Sequence, residues 1–256
     1  MLEGFSYWFY KHGVNMNVFE ALKVRHSVRQ FKKDPIPDDV LNKILNAANE
    51  SPSNCNSQPY KVAIAQGEVI EQLRQELHAK FMHATKLQQQ SLPKQLFTLA
   101  TKGGLPDGDF KIATKYPKAL QKRRQETGFG LYQTLGIART DRKARDEQMA
   151  RNFTFFDAPV AVFVFVHEDL NQWASLDAGI YLQSLMLAAT AEGIGSCAQG
   201  ALATWASPIR KHFKVEKGYK LLVGVSLGYE ADHIVNSFKP DRADIQEQMF
   251  KQKQTS

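Results

Sequence analysis

The chain has few of the residues from which cross-linked or metal-bound folds are built. Its 256 residues include only two cysteines, Cys55 and Cys197. Two cysteines are too few for a disulfide framework or for a zinc site built from cysteine ligands. The seven histidines are scattered without ligand spacing, so we expect no metal site. A reducing cytoplasm is the simplest setting for such a composition.

Long apolar runs and targeting signals are also missing. No apolar stretch approaches the roughly 18 residues that a membrane-spanning helix needs, so we expect no membrane span. The first fifteen residues include five aromatics but no basic leading region and no cleavage signal. Asn17 and Glu20 have the spacing of a helix capping box. We therefore interpret residues 1–15 as an N-terminal extension and residues 16–256 as a single domain.

Acidic charge is scarce relative to basic charge in one region. The chain carries a net charge of +7, and residues 111–151 alone contain eleven Lys and Arg against four Asp and Glu, an excess of seven. The region is either an ordinary solvated helical face or a positive rim that attracts an anionic substrate or cofactor. A basic patch is also what a nucleic-acid-binding module needs, and that class remains the non-flavin alternative.

The apolar pattern predicts a mixed set of helices and strands. A helix over residues 17–24 is expected to bury Val18, Phe19 and Leu22. A second helix starts after Pro37 with two acidic residues in its first turn and ends before Pro52. Further elements are strands at Tyr60–Ala65, Ala158–Val166 and Lys220–Leu227, and helices at Val69–Leu87 and Leu176–Ala191.

From residue 92 to about residue 150 glycines and prolines interrupt the pattern. Such an excursion with short helices is typical of a lid. Phe129 and Tyr132 lie beside flexible glycines in this region, so they are candidates to cover a planar substrate. Ordinary packing explains them equally well.

Residues 25–29, Arg-His-Ser-Val-Arg, place two guanidinium groups around a hydroxyl after a short amphipathic helix. Arginine offers a planar, permanently charged set of donors that suits phosphate or another anion. The same pattern occurs at solvated helix ends, so this stretch alone leaves both interpretations open.

Two further stretches have the composition of binding loops. Residues 51–60 are rich in Ser and Asn and are bracketed by prolines, which indicates a stiff polar loop before a buried strand. Residues 193–200, Gly-Ile-Gly-Ser-Cys-Ala-Gln-Gly, follow a helix, so they are not a dinucleotide fingerprint. Their glycines either let the backbone approach a flat ligand or turn the chain.

Taken together, the stretches resemble the flavin-dependent nitroreductase family over nearly all of residues 16–245. The basic region is similar to that of the nitrobenzoate reductases. The matching features occur in the family's order and spacing. They are Arg25–Arg29, Ser51–Ser53 with Asn56–Tyr60, Gly193–Cys197, the strand into Gly228–Tyr229, and Arg242.

The resemblance implies an α+β fold, with a central mixed, mostly antiparallel sheet flanked by helices. It also implies a homodimer that holds two FMN molecules at the subunit interface. A C-terminal arm of each chain would extend onto the partner subunit.

The same resemblance implies a set of flavin ligands. Arg25, Ser27 and Arg242 match phosphate and ribityl ligands, and Arg29 matches a cation beside the flavin pyrimidine. Pro240 stands where some members carry a second basic ligand, which leaves the role of Lys239 open. The remaining cofactor-binding residues on this basis are His26, Pro52, Ser53, Asn54, Asn56, Gln199 and Gly200.

The implied activity is ping-pong electron transfer from NADH or NADPH, through FMN, to nitroaromatic or quinone-like acceptors, including carboxylated ones. No side chain is assigned as a catalytic acid or nucleophile. The alternatives are reductive dehalogenation or enoate reduction on the same scaffold, and a flavin-binding regulatory or storage protein without turnover.

Overall fold

A four-stranded sheet forms the centre of the fold. The structure, a computed structural model, describes residues 16–94, 105–111 and 116–252. The strands lie in the order β1-β2-β4-β3, and each neighbouring pair is antiparallel, as the sequence predicts for most of the sheet. Their bounds are Tyr60–Ala65 for β1, Val160–His167 for β2, Gly195–Gln199 for β3 and Tyr219–Gly228 for β4.

Strand β2 is buried on both faces and separates two apolar clusters. Phe163 and Phe165 point into one cluster, together with Phe155 and Leu202. The alternating valines of β2 point into the other cluster. A strand covered on both faces reads as a continuous apolar run, which is why the sequence predicts it correctly.

Helices cover both faces of the sheet. Helix α3 (Gly67–Gln88) buries Ile70, Leu73 and Leu77 in the first cluster. Helix α2 (Asp38–Asn49) packs with α6 (Asn171–Ala191) over the second cluster. No helix among the described residues is both long and apolar enough to cross a membrane. The helices are α1 Val18–Val24, α2 Asp38–Asn49, α3 Gly67–Gln88, α4 Lys118–Thr134, α5 Arg142–Ala150, α6 Asn171–Ala191, α7 Ser207–His212 and α8 Ile245–Gln248.

The predicted capping box of α1 is confirmed. The side chain of Asn17 accepts a hydrogen bond from the backbone of Glu20, and the Glu20 carboxylate accepts one from the backbone of Asn17. The predicted buried side is wrong, because Val18, Phe19 and Leu22 are 55%, 79% and 48% exposed. The helix is short, and its buried residue is Ala21.

The sequence leaves two interpretations of the glycines in residues 193–200, a close approach to a flat ligand or a turn, and it does not predict the strand that part of this stretch forms. Gly193 turns the chain with φ +71°, and Gly195–Gln199 then pairs with β4. Gly195 lets Val28 pack closely against this strand. A Cβ on Gly195 would lie only 2.8 Å from Val28 Cγ2. Small and polar residues have low strand propensity, so the pairing is decided by tertiary contacts.

Residues 105–111, inside the predicted lid, are fastened to the body of the protein. Asp107 accepts hydrogen bonds from the backbone and hydroxyl of Ser207 at 3.2 and 2.5 Å. Asp109 accepts from Arg210 at 2.7 Å and from the backbone of Leu221 at 2.6 Å. The excursion continues with α4 and α5. Residues 95–104 and 112–115 lie outside the described residues, as do residues 1–15 and 253–256.

Candidate functional site

The Arg25–Arg29 stretch lies along the edge strand β3. It leaves the C-terminal end of α1, where Arg25 is the capping residue. Ser27 and Ser196 form a parallel bridge, and the amide of Val28 donates to the carbonyl of Ser196 at 3.0 Å. These backbone contacts cover the edge of the sheet and fix the directions in which the two arginines leave the chain.

Three guanidinium groups lie at this edge without a carboxylate partner among the residues that the structure describes. Arg29 donates to the carbonyl of Ser27 at 3.2 Å, and Arg242 donates to the carbonyl of Pro240 at 2.8 Å. Burial, followed by the positive charge of Arg242, lowers the pKa of the half-buried Arg25. Within the part of the chain that the structure describes, Arg25, Arg29 and Arg242 form no ion pair with Asp or Glu. This clustered, uncompensated charge is suited to an anion.

Cys197 lies behind these cations on β3. Burial raises the pKa of its thiol to about 11. The charges of Arg29 and Arg25 and a hydrogen bond with Ser27 offset only part of that rise. Cys197 is therefore a buried, protonated residue, and its neighbours show that Arg25, Ser27 and Arg29 lie close together.

Other contacts at this edge come from the segment after β4. The two ring nitrogens of His26 lie 3.0 Å from the carbonyl oxygen of Val24 and 3.0 Å from the carboxylate of Glu230. The buried side chain of Asn236 accepts from the amide of Arg29 at 2.7 Å. His26 thus contacts the protein through its ring, and the sequence alone missed Glu230 and Asn236.

The loop after α2 is held against α6. The amide of Asn54 donates to the buried carboxylate of Asp177 at 3.1 and 3.2 Å. The hydroxyl of Ser53 accepts from the amide of Gln58 at 2.9 Å. Cys55, Asn56 and Gln58 all have positive φ, between 46° and 52°. Left-handed residues other than glycine are strained and persist where surrounding contacts hold them, which is common at binding sites.

Gln199 is the last residue of β3 and Gly200 follows it, and the two residues have different contacts. The side chain of Gln199 is buried, accepts a hydrogen bond from the hydroxyl of Ser226, and donates to the carbonyl of Asn152 at 2.9 Å. A Cβ added at Gly200 would meet no atom within 4 Å. The Gly200 backbone is therefore open on its Cβ side, and the Gln199 amide holds the end of the strand in place.

Helix α4 reaches the same region through Phe238. A Cβ on Gly130 would lie 2.7 Å from the ring of Phe238, and the guanidinium of Arg29 lies 6.0 Å from the centre of that ring. Phe129 and Tyr132, the predicted substrate contacts, lie on α4 beside Gly130. Phe238 thus connects the α4 helix to the cation cluster.

A sequence profile of the Nitroreductase family matches residues 22–229. The chain belongs to the nitroreductase family. Nitroreductase NfnB from Mycolicibacterium smegmatis is 33% identical over 88% of each chain. A 4-nitrobenzoate reductase from Pseudomonas putida is 29% identical over 85% of this chain and 88% of its own.

Solved structures give the same relationship in three dimensions. The FMN-dependent nitroreductase NfnB from Mycobacterium smegmatis, in complex with NADPH, superposes with a TM-score of 0.76 at 30% identity, covering 91% of this chain and 96% of its own. The FMN and NADPH-dependent nitroreductase NfnB from Sphigopyxis sp. strain HMH superposes with a TM-score of 0.80 at 26% identity, covering 93% of this chain and 100% of its own. The α+β fold predicted from the sequence is therefore that of a nitroreductase.

A larger cavity of this nitroreductase, about 940 Å³, lies elsewhere, at the start of α3. Its arginine, Arg74, is already engaged, since it donates to Glu71 and to the carbonyls of Thr154 and Ala158. None of the predicted site residues lines this cavity. The uncompensated arginines at β3 are therefore the better candidate site.

Proposed function

We propose that this nitroreductase binds FMN at the β3 edge and reduces nitroaromatic or quinone-like acceptors with NADPH or NADH in a ping-pong reaction. The observation that carries this proposal is the cluster of Arg25, Arg29 and Arg242, which has no carboxylate partner among the described residues. The FMN and NADPH dependence of the NfnB structures supports the proposal and favours NADPH as the donor.

The residues present fit FMN. Arg25, Arg242 and the Ser27 hydroxyl would hold the phosphate and ribityl groups, because guanidinium and hydroxyl donors match phosphate oxygens. The open face of Gly200 would accept the flat ring system. Arg29 would lie beside the pyrimidine edge and stabilise negative charge there by preorganised electrostatics.

Bound FMN would supply the redox chemistry, since a flavin accepts a hydride from a nicotinamide and passes electrons to an acceptor. The chain itself supplies binding and orientation. Pro52, Ser53, Asn54 and Asn56 belong to a loop that Asp177 fixes, so their backbone is available as a rigid ring contact. Phe129 and Tyr132 would pack against the acceptor. The side chains of His26 and Gln199 form hydrogen bonds within the protein, so these residues would contact the flavin through their backbone atoms.

The exposed apolar side chains support a homodimer. Phe19 on α1 and Trp173 on α6 are 79% and 53% exposed on helices that pack together. Contiguous exposed apolar surface marks protein interfaces. The exposed Ile245, Met249 and Phe250 support a C-terminal arm that lies on the partner subunit. With two unlinked cysteines, the reducing cytoplasm is the compartment that we propose.

The test is the visible spectrum of the purified protein before and after anaerobic addition of NADPH, and again with NADH. We expect a flavin band that NADPH bleaches and that nitrobenzene or a menadione-type quinone restores. A colourless protein would contradict FMN binding. A yellow protein that neither nicotinamide bleaches would favour a storage or regulatory role. Reoxidation by a halophenol or an activated alkene but not by nitrobenzene would favour the alternative reductase activities.

A further inference from the structure

A second, smaller cavity lies between α4 and α5. It has a volume of about 420 Å³, within the roughly 300–1,000 Å³ of small-molecule pockets. Residues three, four and seven positions apart on a helix share one face, and this face of α4 forms one wall. The wall and the turn that follows α4 supply aromatic and apolar surface, and α5 supplies one arginine. The main lining residues are Phe129, Tyr132, Ile137, Ala138, Arg139 and Arg145.

Two arginines of this cavity have no acidic partner in the described parts of the chain. The guanidinium of Arg139 lies 4.6 Å from the centre of the Phe129 ring. Arg145 makes only a long hydrogen bond of 3.4 Å, to the backbone of Asp141. Within the part of the chain that the structure describes, neither arginine pairs with a carboxylate.

The other cations of α5 behave differently. Arg142 pairs with Asp146 at 3.7 Å, and Lys143 pairs with Glu147 at 3.9 Å, both one helical turn away. Neither residue lines the cavity. The basic region therefore contains two kinds of cation, those compensated on the helix surface and those left open at the cavity.

The lining has the chemistry that recognises an aromatic anion. Aromatic faces such as those of Phe129 and Tyr132 stack against a flat ring. Guanidinium groups bind carboxylate or phosphate with two parallel hydrogen bonds. The walls of the cavity are mostly apolar, so the negative charge of an anion bound there would be balanced by the two arginines.

We propose that this cavity binds a flat aromatic group that carries an anionic substituent, with Arg139 and Arg145 as specificity-determining residues. The proposal rests on the proposed function, since the ligand would be a substrate of the same reaction. Two sources have this chemistry, a carboxylated nitroaromatic acceptor and the phosphorylated adenosine of NADPH. Gly130 on α4 packs against Phe238, and Phe238 lies beside Arg29, so one face of α4 lines the cavity and a different face packs towards the proposed flavin site.

The experiment compares KM and kcat for matched pairs of substrates. The acceptors are 4-nitrobenzoate and nitrobenzene, which differ by one carboxylate, and the donors are NADPH and NADH, which differ by one phosphate. The variants are Arg139→Gln and Arg145→Gln. Arg142→Gln is the matched control, because it removes the same charge from the same helix without changing the cavity lining.

If the acceptor supplies the anion, the variants raise KM for 4-nitrobenzoate about tenfold or more and leave the constants for nitrobenzene unchanged. If the nucleotide supplies it, the same rise occurs in KM for NADPH and not for NADH. Either selective effect supports the proposal, and turnover of nitrobenzene with NADH verifies that the variants are folded.

The proposal would be overturned by equal changes in KM for both members of each matched pair, by no change in any KM, or by the same selective change in Arg142→Gln. In the last case the effect is general electrostatic steering by the basic surface. Failure of the proposed function is a separate outcome, because the wild-type enzyme would then reduce neither nitrobenzene nor 4-nitrobenzoate with either nicotinamide.

Discussion

Arg25 and Arg29 are four residues apart and face different surroundings. Arg25 ends α1 and lies close enough to Arg242 for that charge to lower its pKa, after the larger effect of burial. Arg29 lies over the ring of Phe238, and its amide is fixed by Asn236. The first arrangement suits a doubly charged phosphate, and the second suits a single charge at the edge of a ring.

Arg25→Ala should therefore weaken FMN binding about 10- to 100-fold, the effect of losing one hydrogen bond to a charged group, with little change in the flavin potential. Arg29→Ala should mainly lower the flavin potential, because a cation favours the negatively charged reduced form. FMN dissociation constants and spectroelectrochemical titration measure the two effects.

Lys23→Ala is the control for charge, since Lys23 is exposed on the last turn of α1 and lies two residues from Arg25. It should change neither quantity. Equal effects of Arg25→Ala and Arg29→Ala on binding and on potential would show that the two arginines do not have separate roles.

The local contacts of the site could be predicted from the sequence, and the distant ones could not. The Asn17–Glu20 cap joins residues three positions apart, so spacing alone identifies it. Glu230 and Asn236 lie 204 and 207 residues from their partners His26 and Arg29, and no local pattern relates them. The flavin ligands were predicted from the resemblance to a family. Members of a family share a fold, so motifs that are far apart in the sequence can be assigned to one site.

The same limit applies to whole elements. Strand β2 and helices α2 and α3 follow from apolar periodicity, because one face or both faces of each element are buried. Strand β3 has no such pattern, since its pairing depends on β4 and on the packing of Gly195 against Val28. The apolar residues of α1 share the side that was predicted to be buried, but that side is exposed in the single chain, so the prediction is wrong.

Asp107 is one of the two carboxylates that fasten residues 105–111 to the body of the protein. Burial opposes ionisation of Asp107, but hydrogen bonds from Ser207 and the charge of Lys80 outweigh it and lower its pKa below the ordinary 3.8. Asp107 also accepts from the first turn of α7. We expect Asp107→Asn to lower the free energy of unfolding at neutral pH by about 1 kcal/mol, the typical value of a helix cap.

The pH dependence of this effect has a definite sign. Because the folded protein lowers the pKa of Asp107, its stabilisation is present above the unfolded value of 3.8 and is lost as pH falls through the folded value. The difference in urea midpoint between wild type and Asp107→Asn should be constant from pH 7 to pH 5 and shrink below pH 4. The exposed Asp232 has no partner within the described chain, so Asp232→Asn should show no such difference. A difference that grows at low pH would contradict the assignment.

Two helices that pack together carry several of the exposed apolar side chains. Phe19 and Trp173 belong to α1 and α6, which contact each other, and Leu176 on α6 is 55% exposed. We expect a homodimer through this surface. Phe19→Glu or Trp173→Glu should convert a particle of about twice the 28.9 kDa chain mass into a monomer in light-scattering chromatography, with reduced FMN content.

Leu92→Glu is the control, because Leu92 is 74% exposed and lies on neither helix. It should remain dimeric with normal FMN content. A wild-type monomer that retains FMN would show that one chain completes the flavin site, and it would remove the role that we give to the C-terminal arm.

The contrast between the two cysteines has a practical use. Thiol reagents react through the thiolate, and Cys197 is buried with a pKa of about 11, so it stays protonated at neutral pH. Cys55 is exposed in the loop that Asp177 holds. A maleimide dye should therefore attach once per chain without any engineered substitution. Its fluorescence would report on the loop proposed to contact the flavin ring.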